Sequence, residues 1–227
     1  MRNRVLVARA KHGVSDVTDI APHDIAVIVD VGANTGQSAI RFRAAFPRAR
    51  IISFEPVRAT FAELERRTRG MNVECHRLAL GPERAQATMY LTESSLMSSL
   101  LRPADKDLKA TETVDVATLG ETLANLEVGP VDLLKIDAEG YDLEVLAGGV
   151  DHLSRGLVKF VLIEAGFHPG DERHPLFDDV RSFLMNFGFC VFGIYDQKLE
   201  WSGEPSLRFA NVLFRRQPSA AIRSRRG

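Results

Sequence analysis

The sequence predicts an α/β protein built on an open, largely parallel sheet, and three observations carry that expectation. Strand-like apolar runs alternate with helical stretches along most of the chain. The first run, Val27 to Val31, ends in the glycine-spaced turn Gly32-Ala33-Asn34-Thr35-Gly36 and leads into a helix, the arrangement that aims helix N–H groups at a ligand. Four acids, Asp30, Glu55, Asp137 and Glu164, fall at the C-terminal ends of strands, where open α/β sheets bind their ligands.

Each element has its own signal. Val27 to Val31 is mostly β-branched and suits a strand buried on both faces. Ala39, Phe42 and Phe46 recur at helical spacing between Thr35 and Phe46, and Pro47 marks the end of that helix. Arg50 to Phe54 forms the second strand, and Arg58 to Arg69 the second helix through Phe61, Leu64 and Thr68. A third strand over 72–76 leads to a turn at Ala79-Leu80-Gly81. Alternation at Ala87, Met89 and Leu91 then indicates an antiparallel excursion. The polar, serine-rich stretch from Thr92 to Lys109 reads as a long surface loop suited to covering a site. Thr111 to Val116 alternates as a strand, Thr118 is placed to cap a helix, and Val131 to Asp137 is the next apolar strand. A helix from Asp142 to Ala147, a strand from Leu157 to Ile163 and a helix through Leu176, Val180, Phe183 and Phe187 follow. Phe189 to Tyr195 and Leu207 to Phe214 close the chain as an antiparallel edge hairpin.

Composition sets the class. With 227 residues, 45% of them hydrophobic, the chain suits one domain, assigned to 25–216, with a helical extension over 1–24 and a basic flexible tail over 217–227. Residues 1–11 and 215–227 carry nine of the 29 Lys and Arg and no acid, leaving an acidic body of 20 basic against 30 acidic residues. That balance disfavours a nucleic-acid partner, whose footprint is a basic face. Cys75 and Cys190 stand far apart without metal-ligand spacing and fit reduced thiols. No apolar run approaches a membrane-spanning length, so no membrane insertion is expected and a cytoplasmic location follows.

The site residues are read from the strand ends. Gly32 and Gly36 tolerate positive φ or close ligand approach, and Asn34 is the non-glycine residue best suited to a left-handed conformation. The G-x-x-x-G spacing is not the dinucleotide fingerprint, which counts against a nicotinamide-dependent oxidoreductase. Glu55, 19 residues after Gly36, is placed to accept both hydroxyls of an unphosphorylated ribose.

Three segments in register, Asp30-Val31-Gly32-Ala33-Asn34-Thr35-Gly36, Phe54-Glu55-Pro56 and Leu134-Lys135-Ile136-Asp137-Ala138-Glu139-Gly140-Tyr141-Asp142, resemble the FkbM family of S-adenosylmethionine-dependent methyltransferases. The resemblance runs from about Val27 to Tyr195 and implies a Rossmann-like class I methyltransferase fold, a mostly parallel seven-stranded sheet with the C-terminal antiparallel hairpin at its edge. It implies S-adenosylmethionine as cofactor, with Gly32, Ala33, Asn34 and Gly36 by its methionine part, Glu55 at the ribose, the Ala79-Leu80-Gly81 turn by the adenine, and Asp30, Pro56 and Asp137 also on the cofactor. Asp142 stands where that family often has Glu. Mg2+ bound by Asp137, Glu139 and Glu164 is an option that related sugar methyltransferases suggest; it is not favoured, and the site as read assigns no residue to a metal.

Methylation of a hydroxyl needs the acceptor oxygen in line with the sulfonium methyl and a base for its proton. Lys135, Asp137 and Glu139 alternate toward one side of a strand end and supply that candidate base, with His168 as a further acceptor-site residue. The bland reading is a Lys135–acid ion pair, with Glu139 or Asp142 at the following helix N-terminus. The expected acceptor is a small molecule, a hydroxyl of a sugar, glycoside or secondary metabolite. RNA methylation and a non-catalytic nucleoside-binding scaffold are the alternatives, and a homodimer is compatible with so short a chain.

Overall fold

The computed structural model describes residues 25–93, 98–102, 107–168, 171, 173–200 and 206–218. The helical extension expected over 1–24 lies outside the described residues, as do most of the basic tail and the middle of the serine-rich loop. In chain order the elements are β1 (Val27–Val31), α1 (Gln37–Ala45), β2 (Arg50–Phe54), α2 (Arg58–Thr68), β3 (Val73–His76), β4 (Ala79–Gly81), β5 (Ala85–Leu91), β6 (Ala110–Thr118), α3 (Leu119–Asn125), β7 (Val131–Ile136), α4 (Asp142–Ala147), α5 (Val150–Ser154), β8 (Val158–Gly166), α6 (Phe177–Met185), β9 (Phe189–Glu200) and β10 (Ser206–Arg216).

Seven strands form one sheet in the order β3-β2-β1-β7-β8-β10-β9, parallel up to β8, with β10 antiparallel to both of its neighbours. The expected mostly parallel sheet with an antiparallel edge hairpin is therefore present, and β10 rather than β9 joins the hairpin to the sheet. Strand alternation divides the core in two. Ile28, Ile51 and Leu133 pack on one face against Phe42 of α1, whereas Val29, Ile52 and Leu134 pack on the other with Leu119, Leu146, Leu153 and Leu184 from α3 to α6. The central strands are covered on both sides, which is why their residues are mostly apolar on both faces rather than alternating.

Two readings change. Ala79 to Gly81 is not a turn but β4, pairing in parallel with Val116 to Thr118 of β6 in a second sheet ordered β4-β6-β5. Three residues paired across more than 30 positions leave no local periodicity to read. The helix after β1 begins at Gln37, because Gly36 holds φ 87° and keeps the turn outside it. Thr118 does cap α3, its hydroxyl accepting the Glu121 N–H at 3.1 Å. Among the described residues, no helix is long and apolar enough to cross a membrane.

Candidate active site

The site begins with the turn after β1. Gly32 sits at φ 71°, and a Cβ there would lie 1.9 Å from the Asp137 carbonyl oxygen, so glycine is required both for conformation and for close approach. Asn34 holds φ 48°, and the Gly32 and Ala33 N–H groups both donate to the Phe54 carbonyl at 3.0 Å. This ties the β1 turn to the end of β2.

Glu55 emerges at that end, almost fully buried, with Oε2 accepting from the Asn34 N–H at 3.0 Å and Oε1 from the Val57 N–H at 2.9 Å. Burial pushes its carboxyl up to about 7, against the pull of those two amides and the Lys135 charge. Each oxygen keeps acceptor capacity for another donor.

Beneath the turn lies a buried ion cluster. Lys135 Nζ stands 3.2 Å from Asp30 Oδ1 and 3.3 Å from Asp137 Oδ2, and donates to the Gly32 carbonyl at 3.1 Å. Asp30 is fully buried and also accepts from the Ser38 hydroxyl at 2.7 Å. Burial would lower the Lys135 ammonium, but Asp137 and Asp30 more than offset this and hold it above its ordinary range. Lys135 is thus a fixed cation that joins β1 to β7.

After β7 the chain turns through Glu139 (φ 50°) and Gly140 (φ 95°). Asp142 clamps this turn, its two carboxylate oxygens accepting from the Ala138 and Gly140 N–H groups at 3.1 and 3.0 Å. Burial, aided by Asp137, pushes Asp142 up to about 7. Glu139 is pushed to about 7 by burial and by the Asp137 charge, while the Arg173 guanidinium, donating to Oε2 at 3.1 Å, opposes the shift. From the far side, the Ser99 hydroxyl donates to the Glu139 carbonyl at 2.7 Å, and Ser99 is itself bridged to Tyr90 of β5.

These turns enclose a cleft with an open mouth, concave and lined by both apolar and polar groups as small-molecule sites are. Gly32, Asn34, Glu55, Pro56, Leu80, Asp137 and Glu139 line it, together with Met89, Leu100 and Tyr141, which sequence reasoning did not single out. Asp30, Ala33, Gly36, Lys135 and His168 lie outside that lining. Asp30 and Lys135 support the turn from below, Gly36 packs against Leu64 and Thr68 of α2, and His168 is exposed beyond the end of β8. The histidine drawn into the fold is His174, whose ring lies 3.1 Å from Glu164 and 2.9 Å from Asp171. An Asp-x-x-His spacing before Pro175 was the available signal. Among the described residues, no three His, Cys, Asp or Glu side chains cluster as a metal site.

The glycine turn, Glu55 and the acids beyond β7 all lie within the stretch that comparison with known proteins matches. The Methyltransferase FkbM domain profile matches residues 30–191, most of the chain and all of these segments. The chain belongs to the FkbM methyltransferase family. It is 29% identical over 195 residues to Methyltransferase 1 of Beauveria bassiana (strain ARSEF 2860), covering 76% of each chain. It is 27% identical over 222 residues to Methyltransferase sdnD of Sordaria araneosa, covering 84% of this chain and 81% of that one. Among solved structures it is similar to an FkbM methyltransferase from Methylobacillus flagellatus KT, with TM-score 0.56, 18% identity and 85% of this chain covered. This chain spans only 44% of that protein's length. The precorrin-6y C5,15-methyltransferase of Geobacter metallireducens GS-15 shares the fold at TM-score 0.50 and 13% identity, with 89% of this chain and 87% of that one covered.

As an FkbM methyltransferase this is an S-adenosylmethionine-dependent enzyme, and the cleft suits that cofactor. A side chain at Gly32 would fill the turn, Glu55 faces the cleft with free acceptor capacity, and Leu80, Met89 and Leu100 supply apolar wall.

Proposed function

We propose that this protein transfers a methyl group to a hydroxyl of a sugar, glycoside or secondary metabolite. In this reading Gly32 and Asn34 approach the methionine part of S-adenosylmethionine, Glu55 accepts the two ribose hydroxyls, and Leu80 packs by the adenine. The cofactor, when bound, supplies an electrophilic methyl on a sulfonium centre. The chain supplies alignment and a proton acceptor.

The observation that carries the hydroxyl assignment is Glu139. It lines the same cleft as the glycine turn, and its carboxyl is raised to about 7 by burial and by Asp137, near the value a general base needs at neutral pH. As the acceptor oxygen gains its methyl, its proton passes to a Glu139 oxygen. A neutral amine acceptor makes no such demand.

Calorimetric titration with S-adenosylmethionine, S-adenosylhomocysteine and NAD tests the cofactor assignment. Both adenosyl ligands should bind, NAD should not, and Glu55→Ala should weaken binding by roughly tenfold to a hundredfold, as expected for hydrogen bonds to a charged acceptor. An acceptor screen with radiolabelled methyl donor follows. Transfer to amines but to no hydroxyl compound would overturn the O-methylation reading, and loss of turnover in Glu139→Gln with S-adenosylhomocysteine binding intact is the expected signature of the base.

A further inference from the structure

His174 is buried and stacks on Phe209 of β10 with ring centroids 4.2 Å apart. Its Nε2 lies 3.1 Å from Glu164 Oε2 on β8, and its Nδ1 lies 2.9 Å from Asp171 Oδ2. A neutral imidazole donates from one nitrogen only, so the other lone pair would face a carboxylate. Only the imidazolium satisfies both partners, and His174 therefore has no free nitrogen with which to act as a base.

The acids are held in turn. Asp171 accepts the Arg173 N–H at 3.0 Å, and the Arg208 guanidinium of β10 approaches it at 3.4 Å. Gly166 lies directly against this stretch at the end of β8, and its N–H donates to the Pro175 carbonyl at 2.9 Å. The residue beside this clamp is Arg173, whose guanidinium donates to Glu139.

We propose that His174, held as an imidazolium between Glu164 and Asp171, is a positioning residue that seats Arg173 on Glu139 and so maintains the acceptor-side carboxylate in its ionised form. The inference rests on the reading of Glu139 as the acceptor-side base, but the contact it describes is measurable without an acceptor. Opposite charge at this range lowers a carboxyl pKa, so unseating Arg173 must raise that of Glu139. The groups facing His174 are Glu164 from β8 and Asp171 from its own stretch, with Arg208 of β10 and Arg173 reaching it through Asp171; burial opposes its charge, and the two carboxylates hold its pKa above the ordinary value.

The experiment is nuclear magnetic resonance on the full-length protein with labelled histidine nitrogens and glutamate carboxyls. Of the six histidines, the one whose signal vanishes in His174→Gln should be doubly protonated near pH 7, and a neutral single tautomer there would overturn the proposal. In His174→Gln the Glu139 titration should move up by about 1 pH unit or more, the scale expected when an adjacent opposite charge is lost. Arg173→Ala should produce the same shift, and the double variant no more than either alone. Asp171→Asn is the milder change, keeping an acceptor for the ring while removing the charge, and should lower the His174 titration and raise that of Glu139. Binding of S-adenosylhomocysteine reports separately on the fold and the cofactor site. An unmoved Glu139 titration in variants that still bind it, or additive shifts in the double variant, would refute the proposed coupling even with the methyltransferase reading intact.

Discussion

At Gly32, two demands meet in one residue: positive φ and a carbonyl where a Cβ would be. Gly32→Ala should cost about 2–5 kcal/mol from left-handed strain together with overpacking, measured by urea denaturation, and should abolish S-adenosylhomocysteine binding. Lys135 makes a different kind of contribution. Removing it leaves Asp30 charged and fully buried, so Lys135→Met should destabilise by about 3–5 kcal/mol, the usual cost of breaking a buried ion pair. A catalytic lysine at the surface would show lost turnover without that loss of stability. Both residues stood out in the sequence, Gly32 by its spacing and Lys135 by being a charge in an apolar strand. What the spacing did not reveal was the direction of Lys135, which points down to Asp30 and the turn carbonyl rather than into the cleft. His174 was harder to read, because its partners Glu164 and Phe209 come from strands distant in sequence.

Elements were legible wherever their period was longer than a few residues. The strands β1, β2 and β7 and the helices α2 and α6 lie within a residue or two of where periodicity places them, apart from the longer expected run of α6. The short pieces were not legible. β4 exists through its pairing with β6, and α5 is a five-residue helix following the Gly148-Gly149 pair. Those glycines have a packing role: a Cβ at Gly148 would stand 2.1 Å from the Gly81 carbonyl oxygen, so the C-terminal end of α4 lies hard against β4. Since Leu80 lies on the cleft wall, Gly148→Ala should displace β4 and weaken S-adenosylhomocysteine binding several-fold with little change in the ionisation of Glu139. Calorimetry of the variant tests this, and unchanged affinity would show that the wall at Leu80 is not cofactor-bearing.

The molecule as a whole carries Glu55, Glu139 and Asp142 with carboxyls raised to about 7 in the fold. A carboxyl whose pKa is higher in the folded than in the unfolded state favours folding on protonation, so stability rises as pH falls from about 7 toward the unfolded value near 4. The raised His174 has the same sign above its ordinary value, the lowered His76 and His152 oppose it below theirs but are outnumbered by the three carboxyls, and the lowered Asp171 matters only at more acid pH. The ligand-free protein should therefore melt at a higher temperature near pH about 5.5 than near pH about 8. Cofactor affinity should run the other way, because protonated Glu55 loses part of its capacity to accept the ribose hydroxyls. Scanning calorimetry and titration across that range check both slopes, and Glu55→Gln should flatten the second.

The sheet order has a consequence for how the enzyme comes into being. Among the described residues, β10 follows every other strand in sequence yet is an interior strand, and it connects β9 to β8. It also brings Phe209 and Arg208 to the His174 clamp. A chain growing from its N-terminus can assemble the parallel strands and the glycine turn before β10 is made, so the acceptor side waits for a strand that follows them in the chain. Cofactor binding and methyl transfer would thus be acquired at different moments of synthesis, and premature termination before β10 would leave a cofactor half-site on a sheet that ends at an exposed β8.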